Sequence, residues 1–216
     1  MSKITKLSIC LFALSILMLT ACSSKVIDKK IEEMYIRKAE LSMEEQAILD
    51  LVGQKDFPYI VDFVVDDNVK SLQINTYELE NGDWEIISGE SRVFEDNYGR
   101  IALTFDNIGK GMRIAVQSEH ERGSNSYRAD IKFDFKGMGT ATSFLTDKII
   151  VEYEKEIPLV IQIHTKKNQI SSLNPEYGFY EPEEYKALGY EKVYAITCMF
   201  SQKLVSELDE LYKKQD

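Results

Sequence analysis

Between residues 57 and 200 apolar and polar positions alternate with a period near two, the spacing of a strand with one dry face and one wet face. Tyr59 to Val65 is a compact apolar run, and Lys70 to Glu80 is a long strand candidate. Asn81-Gly82 follows, two residues tolerant of positive φ, so Trp84 to Ser88 is expected to pair back onto 72–80 as a hairpin. Arg100 to Asp106 puts Ile101, Leu103 and Phe105 on one side, and Met112 to Gln117 does the same with Met112, Ile114 and Val116. The cleanest alternation is Tyr127 to Phe135, where Tyr127, Ala129, Ile131, Phe133 and Phe135 interleave with Arg128, Asp130, Lys132 and Asp134. Thr140 to Leu145, Lys148 to Glu154, Leu159 to His164 and Lys192 to Phe200 complete the series.

At both ends the period lengthens. Ser42-Met43-Glu44-Glu45 has the form of a capping box, and Ala47, Ile48, Leu51 and Val52 give an apolar side, with Gly53 as a stop; a short helix over 42–52 is expected. Near the C-terminus Leu204, Val205, Leu208, Leu211 and Tyr212 fall on one helical stripe, backed by the acid-first pairs Asp209/Lys213 and Glu210/Lys214. This helix is expected to lay its stripe on the sheets, a partner-binding role being the alternative. Residues 22–41 mix charge with Ile27, Ile31, Met34 and Leu41 at helical spacing and read as a partly helical tether. Turns rich in Gly, Asn and Asp separate the strand candidates: 95–99, 107–111, 122–125 and 137–139.

About ten strands with no helix between them exclude alternating βαβ units. The expected fold is mainly β: an antiparallel two-layer β-sandwich, Ig-like or jelly-roll-like, with a short N-terminal helix and a C-terminal amphipathic helix. The domain boundaries read as 1–21 leader, 22–41 tether and 42–216 a single sandwich domain with its flanking helices. A two-lobed α/β solute-binding architecture does not suit so short a chain without the alternation.

The first residues carry an address. Lys3 and Lys6 precede an apolar stretch from Leu7 to Leu19, shorter than the roughly 20 residues of a membrane span and of the size of a signal-peptide core. It ends in Leu19-Thr20-Ala21-Cys22, which resembles the lipobox of bacterial lipoproteins. The resemblance implies cleavage between Ala21 and Cys22, a diacylglyceryl thioether on Cys22, and residence on the extracytoplasmic face of a cell membrane. More than one acyl chain is what durable anchoring requires, since a single chain binds reversibly. The resemblance covers the leader only; the remaining sequence resembles no characterised family. With Cys10 lost in the leader and Cys22 lipidated, Cys198 stands alone in the apolar run 194–200 and reads as a small buried hydrophobe, with no intramolecular disulfide.

Charge narrows the partners. The 216-residue chain has 26 Lys and Arg against 36 Asp and Glu, and loss of Lys3 and Lys6 with the leader takes its formal charge from −10 to −12. Such a domain repels phosphate backbones, so nucleic acid is not an expected partner. His120 and His164 are the two histidines. His120 lies in a charged turn and His164 faces away from Leu159, Ile161 and Ile163, and both read as solvated surface residues. No Gly-rich phosphate loop, CxxC or HExxH occurs, and no cofactor or metal is expected. Adjacent acids such as Asp66-Asp67, Asp83 with Glu85 and Glu95-Asp96 are what chance supplies in so acidic a chain, and lack the spacing of a twelve-residue calcium loop.

Residues 174–190, NPEYGFYEPEEYKALGY, are unusual for a connector. Tyr177, Phe179, Tyr180 and Tyr185 stand beside Glu181, an arrangement of flat rings and carboxylates suited to a glycan or protein surface. The competing reading is a loop, with a turn of helix at 182–187, whose rings cap one end of the sandwich. No catalytic residue is nominated. The leading expectation is therefore a lipid-anchored, non-enzymatic domain that binds an extracellular glycan or protein. A small carboxylate-dependent polysaccharide hydrolase and a structural or assembly lipoprotein of the envelope are the alternatives.

Overall fold

The computed structural model describes residues 31, 33–52, 58–128 and 133–212. The leader, Cys22, Gly53, Lys213, Lys214 and residues 129–132 lie outside these residues; of the expected 127–135 strand, Tyr127 closes another strand while 128 and 133–135 are irregular. Eleven strands among them form two antiparallel sheets. The six-stranded sheet has the order β7 (Arg122–Tyr127), β6 (Met112–Ser118), β5 (Tyr98–Thr104), β2 (Tyr59–Val64), β1 (Tyr35–Lys38), β9 (Ile149–Ile150). The five-stranded sheet has the order β4 (Asp83–Val93), β3 (Ser71–Glu80), β11 (Lys192–Ser201), β10 (Ile157–Thr165), β8 (Gly139–Phe144). The fold is the mainly-β, two-layer antiparallel sandwich that the alternation implied.

Period two places the first core. Ile36, Val61, Phe63, Ile101, Leu103, Ile114 and Val116 point inward from one sheet and meet Leu72, Ile74, Tyr194, Ile196, Cys198 and Phe200 from the other. The Asn81-Gly82 turn takes φ of 56° and 99°, and β3 and β4 pair back from Glu80↔Asp83, as a primed hairpin turn requires. The Ser42–Glu45 capping box forms: the Glu45 amide donates to Ser42 Oγ at 3.2 Å and the Ser42 amide to Glu45 Oε2 at 2.8 Å, opening helix α1 (Met43–Val52).

A second core lies on the outer face of the five-stranded sheet. Helices α2 (Pro175–Tyr180) and α3 (Pro182–Leu188) cover Tyr77, Ile161, Ile163, Val193 and Ala195 there. Strand β10 is consequently buried on both faces along its whole length. The C-terminal helix α4 (Val205–Tyr212) contacts β4; Leu208 is buried and Leu204 exposed, so one position of the expected stripe points in and another out.

Four further expectations change. Where described, residues 22–41 are extended rather than helical: Tyr35–Lys38 is a strand paired with both β2 and β9, so the sandwich begins before residue 42. Ile36 fills an inward position of that strand, and its burial outweighs the helical spacing around it. The 122–125 turn is instead the start of β7, an exposed edge strand registered on β6 through Gln117↔Arg122 and Met112↔Tyr127. Turn-forming residues are tolerated where no face must be buried. The expected strand at 148–154 shrinks to Ile149–Ile150. Finally, His164 is not solvated: it is 1% exposed, with Thr140 Oγ1 and Gln162 Oε1 each 3.0 Å from a ring nitrogen and Phe135 edge-on at 4.8 Å. Facing away from Ile161 and Ile163 put it on the inter-sheet side, and burial lowers its pKa.

Candidate functional site

The aromatic segment 174–190 carries the candidate binding side chains. Asn174 caps α2, its Oδ1 accepting from the Glu176 amide at 2.9 Å, and Pro175 and Pro182 occupy first-turn positions that need no amide. These signals fold the segment into two short helices rather than an open loop. Phe179 then stacks on Trp84 (ring centroids 5.4 Å apart, 19° between planes), meets Tyr77 edge-on at 5.3 Å, and accepts a bond from Trp84 Nε1 on its carbonyl at 2.8 Å. Tyr185 is 1% exposed, and burial pushes its phenol up. A Cβ on Gly178 would sit 2.3 Å from the Tyr185 hydroxyl, so that close approach needs glycine.

The five candidate side chains therefore part company. Phe179 and Tyr185 are core, and a buried ring offers no face to a ligand; their place in a binding surface is corrected. Tyr177, Tyr180 and Glu181 stay on the surface. The Tyr180 hydroxyl is engaged by the Glu156 carbonyl and that of Tyr177 by Glu184 at 3.4 Å. The depression beside Tyr180 holds about 10 Å³, room for roughly one water.

A larger concavity lies on the opposite side of the molecule, on the outer face of the six-stranded sheet. Its volume is about 460 Å³, within the range of small-ligand sites. Pairing registers place Arg37, Asp62, Arg100, Gln117 and Arg122 in one row across five strands. The neighbouring row holds Tyr35, Val64 and Tyr98. Arg100 organises the middle: its Nε donates to Asp62 at 2.7 Å, and its Nη1 donates to Glu45 of α1, tying the helix to the sheet. The Ser42 amide and the Arg100 guanidinium hold the Glu45 carboxyl below the usual carboxylate range. Tyr98, about half exposed, donates to Glu119 Oε2 at 2.5 Å, and that carboxylate pushes its phenol up. Arg37 differs from Arg100: its Nε is shielded from solvent yet meets no acceptor among the described residues.

The sequence signal for this site was present but ordinary. Arg37, Asp62, Tyr98, Arg100 and Gln117 are the wet positions of amphipathic strands, and nothing in a single strand shows that registers align them.

The other acid-rich places are self-contained. Asp66 accepts from the Tyr153 hydroxyl at 2.6 Å and the Asn68 amide at 3.0 Å, and Asp67 accepts from Asn97 at 2.6 Å. Asp96 grips His120 through the ring at 2.6 Å and the amide at 3.0 Å. Among the described residues no three His, Cys, Asp or Glu side chains converge as a metal would need. Cys198 is fully buried, and burial pushes its thiol up.

Fold and site together define a mainly-β sandwich with an open sheet-face groove lined by charged side chains and tyrosine rings. No protein-family model, curated protein or solved structure matches the chain.

Proposed function

We propose that this chain is an envelope lipoprotein, held to the extracytoplasmic face of a membrane by acyl chains on Cys22, whose sandwich is a non-enzymatic binding domain for an extracellular glycan or protein. The observation that carries the binding role is the groove on the six-stranded sheet. It is wide enough for a ligand, and side chains from four strands and α1 line it on a hydrogen-bonded floor that has little freedom to move. Its polar groups alternate between donors (Arg37, Arg100, Gln117) and acceptors (Asp62, Glu45, Glu119), with the half-exposed Tyr98 ring beside them. Non-enzymatic binding is favoured over hydrolysis by the state of these acids. A general acid needs a raised carboxyl pKa, whereas Glu45 is lowered, and Asp62 and Glu45 both serve Arg100.

The test is a glycan array and an extracellular-protein panel probed with the full chain in detergent. A ligand whose retention falls in a Tyr98→Ala/Gln117→Ala variant but not in Tyr177→Ala supports the proposal. No ligand on either panel, or equal retention by all three proteins, overturns it.

A further inference from the structure

Building on the binding role proposed above, we infer that the groove takes an acidic oligosaccharide, one whose sugar carboxylate is received by Arg37. Four independent features point there. The first is an unused donor. Arg37 lines the groove with its guanidinium over the Tyr35 ring at 5.7 Å, and no carboxylate pairs with it among the described residues. A carboxylate in the groove meets the outer nitrogens of this unpaired guanidinium, and such charge-assisted bonds are the stronger ones.

The second is the distribution of charge. Arg100 is neutralised by Asp62 and Glu45, but Arg37 and Arg122, at the two ends of the same row, have no ion-pair partner among the described residues. This chain carries ten more acids than bases, yet Arg37 and Arg122 share their face with a third unpaired guanidinium, Arg113 on β6, and themselves stand four strand spacings or roughly 19 Å apart. That is the reach of a short oligomer rather than of a single sugar.

The third is the ring. Tyr98 is 52% exposed, with its hydroxyl held by Glu119, so the phenol edge is fixed and the ring stands beside the polar row. A rigid ring next to paired donors and acceptors suits a pyranose, whose apolar face covers the ring while its hydroxyls both donate and accept.

The fourth argues against an acidic peptide. Peptides dock by pairing with an unpaired strand edge or by seating apolar anchors in pockets. The groove crosses the paired interior strands β2 and β5, whose backbones are already in ladders on both sides, and the charged side chains of Arg37, Glu45, Asp62 and Arg100 stand along it.

The test is calorimetric titration of the full chain in detergent with three carboxylated probes (oligogalacturonate, a hyaluronan fragment and sialyllactose). A cello-oligosaccharide serves as the neutral control and poly-L-glutamate as the acidic peptide. At least one carboxylated sugar is expected to bind, more weakly as salt is raised, while the two controls do not. Arg37→Ala should weaken that binding about tenfold or more, and Arg37→Lys, which keeps the charge but lacks the planar guanidinium fork, should fall between. If Arg37→Ala does not fold, judged by circular dichroism and Trp84 emission, the exposed Arg122→Ala and Gln117→Ala carry the comparison and should each weaken binding. Binding of the cello-oligosaccharide as tightly as the acidic sugars, lost in Tyr98→Ala, overturns the acidic class while the binding role stands. Poly-L-glutamate binding that depends on Arg37 overturns the sugar assignment. Silence from all three carboxylated probes, or affinity unchanged by every arginine variant, overturns the inference outright.

Discussion

Replacing Phe179 by alanine separates a structural aromatic from a ligand-binding one. Phe179 is 9% exposed and closes the second core over Tyr77 and Trp84. Removing its ring takes away a stacked contact at 5.4 Å and an edge contact at 5.3 Å, and opens a cavity under a helix only six residues long. Buried Phe to Ala changes cost about 3–5 kcal/mol, and since a short helix can settle partly into the gap the expected loss is about 3 kcal/mol. Trp84, the single tryptophan, lies in this cluster, so its emission during urea unfolding reads the site directly. With a urea slope of about 3 kcal/mol per molar for a domain of this size, the midpoint should fall by about 1 M. Tyr177→Ala, a neighbouring ring that is 51% exposed, should move it by less than about 0.2 M, in line with surface changes of about 0.5 kcal/mol or less. Equal midpoints for the two variants would refute the second core and return Phe179 to the surface.

Three further outcomes are expected. Glu156 accepts from Asn75 at 2.9 Å and from Tyr77 at 2.8 Å, and the Thr197 hydroxyl donates to it as well; Asn75 and Thr197 are buried. Glu156→Ala should cost about 2 kcal/mol or more in a thermal-unfolding assay by stranding those donors, and Glu156→Gln less. The Asp96–His120 tie should weaken at both ends of the pH scale. The Ser118 hydroxyl and the His120 ring hold Asp96 down to about 2 from its ordinary 3.8, so its contribution is complete above 3.8 and fades as pH falls towards 2. The bond to Asp96 raises His120 above its ordinary 6.5, so its contribution is complete below 6.5 and fades as pH rises through the raised value. Protection of the β6–β7 turn amides, their exchange relative to an unstructured peptide at the same pH, should be greatest between those limits, and His120→Ala should remove its fall on the alkaline side. Metabolic labelling with a tagged fatty acid should mark the parent chain and leave Cys22→Ser blank; equal marking of both would remove the anchor.

How much of this was visible in the residues depends on whether the cause is local. Hairpin β3–β4 rests on Asn81-Gly82, and α1 on Ser42 and Glu45, signals that act within a few residues and survive in the fold. Strand β1 was hidden because a four-residue strand is held by its neighbours, not by its own period. The burial of His164 is not legible in the sequence because alternation tells which face a residue takes but not whether that face is covered. The aromatic run stands out in the sequence, and its prolines and Asn174 explain the two helices. That Phe179 and Tyr185 turn inward, however, depends on Tyr77, Ile161 and Val193 lying beneath them. The sheet-face row was the least visible feature, since it exists only once five strands are in register.

An NMR titration of the isotope-labelled chain with whatever ligand the arrays return would locate the contact surface residue by residue. Perturbed amides and side chains should cluster on Arg37, Asp62, Tyr98, Arg100 and Gln117 across the six-stranded sheet, with Tyr177, Tyr180 and Glu181 unmoved. Perturbations confined to α2 and α3, with the sheet face silent, would contradict the assignment of the groove as the binding site.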